Sequence, residues 1–147
     1  MRVSNLLNSA GFIGILELDH NRHLAEMLGL DLNLPDNLAI LNQVNASILK
    51  LSRETSGVIF DPIYTFDLLT QKAPHSAALI RLEQDKESLP DQMPLLFPNF
   101  SLEEISQNYA LAKLEFNYHP QEKKALEKKQ LLAEICDYAK ILKIDFL

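Results

Sequence analysis

Seven ionisable residues of this chain fall at alternating positions in short β-type runs: Glu17 and Asp19, then Asp61, then Arg81 and Glu83, then Lys113 and Glu115. Side chains two apart in a strand share a face, so each run sorts into two sides. Glu17 and Asp19 fall with Ile13 and Ile15, opposite Phe12, Leu16 and Leu18. Asp61 falls with Gly57 and Ile59, opposite Val58 and Phe60. Arg81 and Glu83 fall with Leu79, opposite Ile80 and Leu82, and Lys113, Glu115 and Asn117 stand opposite Leu114, Phe116 and Tyr118. One side of each run is wholly apolar, and the other becomes charged, mostly toward its C-terminal end. Burying an unpaired carboxylate or ammonium costs on the order of several kcal/mol, so these groups must pair with one another or hold a ligand. An ammonium beside carboxylates also tunes pKa values for acid–base chemistry. A structural ion network accounts better for any one pair; the set of seven favours catalysis.

The elements that must position these residues are β-like runs alternating with helical segments, the pattern of an α/β fold. The runs are residues 12–19, 56–62, 77–84, 112–118 and 143–147. Between the first two, Leu38, Leu41, Val44, Ile48 and Leu51 recur at helical spacing, with Asp36 placed to cap the start and Gly57 following the end. A shorter helix is expected in "IYTFDLLTQKA". Residues 88–99 carry three prolines and read as loop, after which Ser101 and Glu104 have the spacing of a capping box. Pro120 suits the first turn of a long helix whose face is Leu132, Ile135, Cys136, Ala139 and Leu142. No repeat, low-complexity tract or flexible linker divides residues 1–147, which read as a single domain. A barrel and an open doubly wound sheet both fit the alternation. The charged sides favour the barrel, because strands covered by helices on both faces read as continuous apolar runs, whereas a barrel turns one side into its lumen.

With 147 residues, 47% hydrophobic and 23% charged, the chain has the composition of a soluble protein with a sizeable core. Its net charge of −6 disfavours a general nucleic-acid binder, and Lys123, Lys124, Lys128 and Lys129, offset by Glu122, Glu127 and Glu134, read as the solvated face of a helix. Cys136 is the only cysteine, which excludes an intrachain disulfide, and it lies on an apolar stripe. Asn5, Asn8, Glu17 and Asp19 interrupt the apolar N-terminal segment before a signal peptide or membrane span can form, so no membrane association and a cytoplasmic location are expected.

Three stretches carry a resemblance that spans nearly the whole chain. "GILELDHNRHLAEML" is similar to the first-strand segment, "QVNASILKLSRETSGVIFDPIY" to the helix and second strand, and "AKLEFNYHPQEKKALEKKQLLAEICDYAKILKIDFL" to the fourth strand, long helix and start of the fifth strand of class I aldolases of the tagatose-1,6-bisphosphate and sulfofructose-phosphate type, with IolC-like relatives. The resemblance implies a (βα)8 TIM barrel that cleaves a ketose phosphate or related sugar phosphate through a lysine Schiff base, with no cofactor and no metal. Asp19 then matches the aspartate that orients substrate hydroxyls or assists proton transfer. Lys113 matches the fourth-strand lysine that sits beside the Schiff-base former and helps to protonate and dehydrate the carbinolamine. His20, Asp61, Arg81 and Glu115 are the expected substrate-binding residues.

The departures bear on substrate. Asn21 stands where the family has arginine, with Arg22 displaced by one position, and Glu17 and Glu115 add carboxylates where it commonly has small or apolar residues. His20 is an acid–base or substrate-binding candidate, or a histidine turned to solvent, and His119 beside Pro120 reads as a helix cap. A complete barrel takes about 250 residues. The expectation is therefore about the first half of a barrel, strands 1–4 with their helices and the start of strand 5, inactive alone because it lacks the sixth-strand Schiff-base lysine. Its open edges predict association with itself or another protein, and a non-catalytic half-barrel that dimerises or binds a partner is the alternative. A third reading has Glu17, Asp19 and Glu115 hold a divalent metal through oxygen.

Overall fold

The computed structural model describes residues 2–84, 91–98 and 101–147. They form two compact units, Ser4–Ile80, and Arg81–Leu147 together with the N-terminal residues up to Val3.

In the unit Ser4–Ile80, β1 (Ile15–Leu18) and β2 (Gly57–Phe60) pair in parallel, Ile15 opposite Gly57 and Leu18 opposite Phe60. β2 pairs in parallel with β3 (Ala77–Arg81), Gly57 opposite Ala77. The predicted first strand is shortened at its start. Asn8 Oδ1 accepts the N–H groups of Ala10 and Phe12, and Gly11 takes a φ of 79°, so Phe12 and Ile13 belong to a turn and are exposed. β2 and β3 are buried at every position, as parallel strands covered on both faces are. Gly57 is required at the head of β2, since a Cβ there would come within 2.6 Å of Leu6 Cδ2 and 3.1 Å of Leu79 Cδ1.

Two helices connect β1 to β2. The first, α1 (Asn21–Met27), was not expected from the sequence. The second, α2 (Pro35–Leu49), continues into a 3-10 turn, Lys50–Glu54. Its N-cap is Leu34, with Pro35 at the first helical position and Asp36 in the first turn, so the expected Asp36 cap is corrected. Its buried stripe is Leu41, Asn45 and Leu49, and Leu51 is exposed. The helix is therefore rotated from the expected apolar face, toward the position that buries Asn45. The short helix after β2 is a 3-10 segment, Phe66–Gln71.

In the second unit, α3 (Leu102–Gln107) starts at the predicted capping box, with Ser101 Oγ accepting from Glu104 N and Glu104 Oε2 from Ser101 N. β4 (Leu111–Lys113) is shorter than expected, with Leu114 N still donating to Leu147 O and residues 115–118 irregular. The chain just past β3 runs beside it, Leu82 N donating to Lys113 O at 2.8 Å. On its other side Ala112 bridges Phe146 in parallel, and Leu147 N donates to Ala112 O, which is the expected start of a further strand. The long helix α4 (Ala125–Leu142) begins five residues after Pro120 and buries Ile135 and Ala139 of the predicted face. It ends on Lys143 in the left-handed conformation, with Ile144 N returning to Ala139 O. Arg2 and Val3 are tied to the Asp145 carboxylate. Of the loop expected over residues 88–99, positions 91–98 are irregular apart from a bridge between Glu83 and Leu96, and the rest lies outside the described residues. Among the described residues no helix is long and apolar enough to cross a membrane.

Candidate active site

In the first unit the residues after β1 and β2 form a buried polar web. The Leu18 carbonyl accepts from Asn21 Nδ2 at 2.8 Å and from Thr65 Oγ1 at 3.1 Å. Asn45 Nδ2 reaches Asn21 Oδ1 at 2.6 Å, and Thr65 Oγ1 accepts from Asp61 N at 2.7 Å. Asn21, Asn45, Thr65 and Asp61 are all buried. Buried polar groups require such partners, and this set locks the C-terminal ends of two strands together. Sequence reasoning took Asn21 only as a departure from the resembling family and missed Asn45 and Thr65. The one available signal was Asn45 on the stripe between Leu41 and Leu49.

Against this web stand Glu17, Asp19 and His20. The expected shared face separates: the Asp19 side chain is fully buried, whereas those of Glu17 and His20 are 58% and 56% exposed. His20 Nε2 lies 3.4 Å from Glu17 Oε2 and 3.9 Å from Asp19 Oδ1. A buried carboxylate with an imidazole at its rim can orient a substrate hydroxyl and relay a proton. Ligand atoms of these three residues also lie within 4.8 Å of one another, which makes them the group among the described residues able to hold a metal ion. It contains His20 where the metal reading of the sequence had Glu115. Asp61, expected to bind substrate, turns its Oδ1 to Ile63 N at 2.6 Å and Tyr64 N at 3.0 Å, and so builds the turn after β2.

In the second unit Lys113, at the end of β4, gives Nζ to Glu83 Oε1 and to Glu115 Oε2, both at 2.9 Å. Lys113 and Glu83 are each 11% exposed at the side chain and Glu115 is 69% exposed. Glu83 Oε2 also accepts Glu115 N at 3.2 Å. The alternation read from the sequence thus brings three of its charged residues together. Arg81 is buried, with its guanidinium 5.6 Å from the centre of the Phe97 ring. An ammonium set between a buried and an exposed carboxylate can exchange a proton with a bound molecule.

A second cluster in this unit corrects the reading of the lysine-rich segment. Lys128 is fully buried and not on a solvated face. Its Nζ donates to Glu122 Oε2 at 2.8 Å and to the Asn117 carbonyl at 2.5 Å. The Glu122 carboxylate also takes the N–H groups of Asp91 and His119, and these donors, Lys128 foremost, hold its carboxyl below the ordinary carboxylate range. His119 Nδ1 accepts Gln121 N and so closes the turn at Pro120, whereas α4 is capped at Lys124, which corrects the helix-cap role expected for His119.

No protein-family model matches this chain, and no curated protein matches it in sequence. Among solved structures it is similar to a Schiff-base-forming fructose-1,6-bisphosphate aldolase, with a TM-score of 0.61 at 18% sequence identity. The likeness covers 97% of this chain and 53% of that one, so the chain spans about half the length of the aldolase. The fold is α/β, with parallel strands and helical connections corresponding to about half of a (βα)8 aldolase barrel.

Proposed function

We propose that this chain is part of a class I aldolase-like lyase, acting in the cytoplasm on a ketose phosphate or related sugar phosphate of the tagatose or sulfofructose type. The observation that carries the reading is Lys113, held at the end of β4 by two carboxylates at 2.9 Å in a fold shared with a Schiff-base aldolase. In this scheme Asp19 orients a substrate hydroxyl and assists proton transfer, with His20 at its rim. Lys113 helps to protonate and dehydrate the carbinolamine formed at another lysine, which the matched segments of this chain do not supply. Its positive charge also lowers that neighbour's pKa and frees the amine to attack the carbonyl. Arg81 and Glu115 bind substrate, and Asp61 shapes the turn after β2.

Two measurements test the reading. Titration with tagatose 1,6-bisphosphate should give saturable binding that is weakened about tenfold or more in Lys113→Met; the absence of binding would remove the sugar-phosphate assignment. Borohydride treatment with dihydroxyacetone phosphate should leave no covalent adduct, and a stable adduct at any lysine would overturn the helper role of Lys113.

The second reading, a non-catalytic module that associates with itself or a partner protein, is favoured by the exposure of Phe12, Ile13, Met27 and Ile63. Light scattering separates the two: a discrete, concentration-dependent dimer supports the module, and a monomer that binds sugar phosphate supports the lyase.

A further inference from the structure

At the opposite ends of β2 and β3 from Asp61 and Arg81 lies a cleft of about 500 Å³, wholly within the unit Ser4–Ile80. One wall is the end of α2 and the 3-10 turn after it, and the other is the segment Gln71–His75 that leads into β3. The walls are fastened together at the base. Ser52 Oγ accepts Ala73 N at 2.9 Å, and Ser76 Oγ donates to Ser52 O at 2.9 Å. Both serines are buried, so the cleft is built by the fold and not by loose surface chains.

Its electrostatics differ from the rest of the chain. Lys50, Arg53, Lys72 and His75 line it, and none of its ten lining residues is acidic, in a protein whose net charge is −6. Among the described residues none of these four makes an ion pair, whereas Lys113, Lys124, Lys128 and Lys140 are each paired with a carboxylate. Partial burial lowers the pKa of Lys72 below the ordinary lysine value, the mark of an ammonium that has lost water. Lys50 and Arg53 on one wall and Lys72 on the other give the cleft a positive potential that an anion would relieve. Leu49, Ala46, Ala73 and Pro74 supply an apolar floor beside them, which suits an anionic group carried on a small organic body.

We propose that this cleft binds a multiply charged phosphate, pyrophosphate or a phosphate ester, at a site separate from that of Asp19 and His20. It lies at the N-terminal ends of the strands, where a barrel carries no active site, so an occupant there would act on the fold and not in the reaction. Binding would cross-link α2 to the approach to β3 and stiffen the base of β2.

Titration with inorganic pyrophosphate at low ionic strength, followed by 1H–15N correlation spectra, tests this. Saturable shifts are expected at residues 46–53 and 71–75, with affinity reduced about tenfold or more in the double variant Arg53→Gln/Lys72→Gln. The exposed single variant Lys50→Glu, which leaves the serine fastening intact, should weaken binding in the same direction. Lys129→Gln, on α4, should leave the affinity unchanged. Shifts that never saturate, that fall outside the two walls, or that respond equally to Lys129→Gln would overturn the proposal.

Discussion

Lys113 and Lys128 belong to one unit and each meets a carboxylate at under 3 Å, yet the two settings are opposites. Lys128 is fully buried, and its partners are all spoken for: Glu122 is pinned by two backbone N–H groups as well as by the ammonium, and the other acceptor is a main-chain carbonyl. Lys113 shares its ammonium between a nearly buried and a largely exposed carboxylate. The first arrangement has one low-energy state and serves as a lock. The second can trade a partner for a ligand, which is what chemistry requires. Ion pairing alone therefore says little about function; the freedom of the partner does.

The largest effect should come from Lys128→Ala. It leaves the Glu122 carboxylate with its counter-ion gone and a carbonyl unpaired, and should cost about 3–5 kcal/mol in urea unfolding. A loss no greater than that of Lys113→Met would break the distinction between the two lysines. Lys113→Met should cost less, about 1–3 kcal/mol, since Glu83 keeps the Glu115 N–H and its side chain is partly exposed. Its main readout is loss of sugar-phosphate binding, which Lys128→Met should leave intact if the protein stays folded.

Acid should loosen the lock as Glu122 takes up a proton. Glu122 has a folded pKa below its ordinary value near 4.5, chiefly through Lys128. Its contribution to stability is complete above that value and is lost as pH falls through the lowered one. Melting temperature measured downward from pH 5 should therefore drop less in Glu122→Gln than in the parent protein. The smallest change is expected for Glu115→Gln, an exposed partner, at no more than about 0.5–1 kcal/mol. A larger loss would move Glu115 into the lock category.

Much of the architecture was legible. β2 and β3 are apolar runs whose burial needs no tertiary information, and Ser101 with Glu104 announced α3 by side-chain chemistry alone. The charged alternation correctly assembled Glu83, Lys113 and Glu115. What failed depended on distant partners. Position 128 lies four residues before Leu132 and seven before Ile135, hence on the buried stripe, but a lysine there reads as solvated until Glu122 and Asn117 are placed against it. Glu17 and Asp19 share a strand face by spacing, yet β1 ends at Leu18, and Asp19 is carried inward by the turn into α1. The helix α1 itself escaped because it is only seven residues long and its cap, His20, makes no side-chain capping bond.

The web beneath Leu18 constrains what the chain can become. The Asn21 amide is buried between the Leu18 carbonyl and Asn45. Asn21→Arg is thus no simple exchange, because a guanidinium there displaces both hydrogen bonds and strands the Asn45 amide. Change at one position is conditional on change at the other. In any lineage that shares this fold, residues 21 and 45 should vary as a pair, an evolutionary record of a contact made across 24 residues of chain.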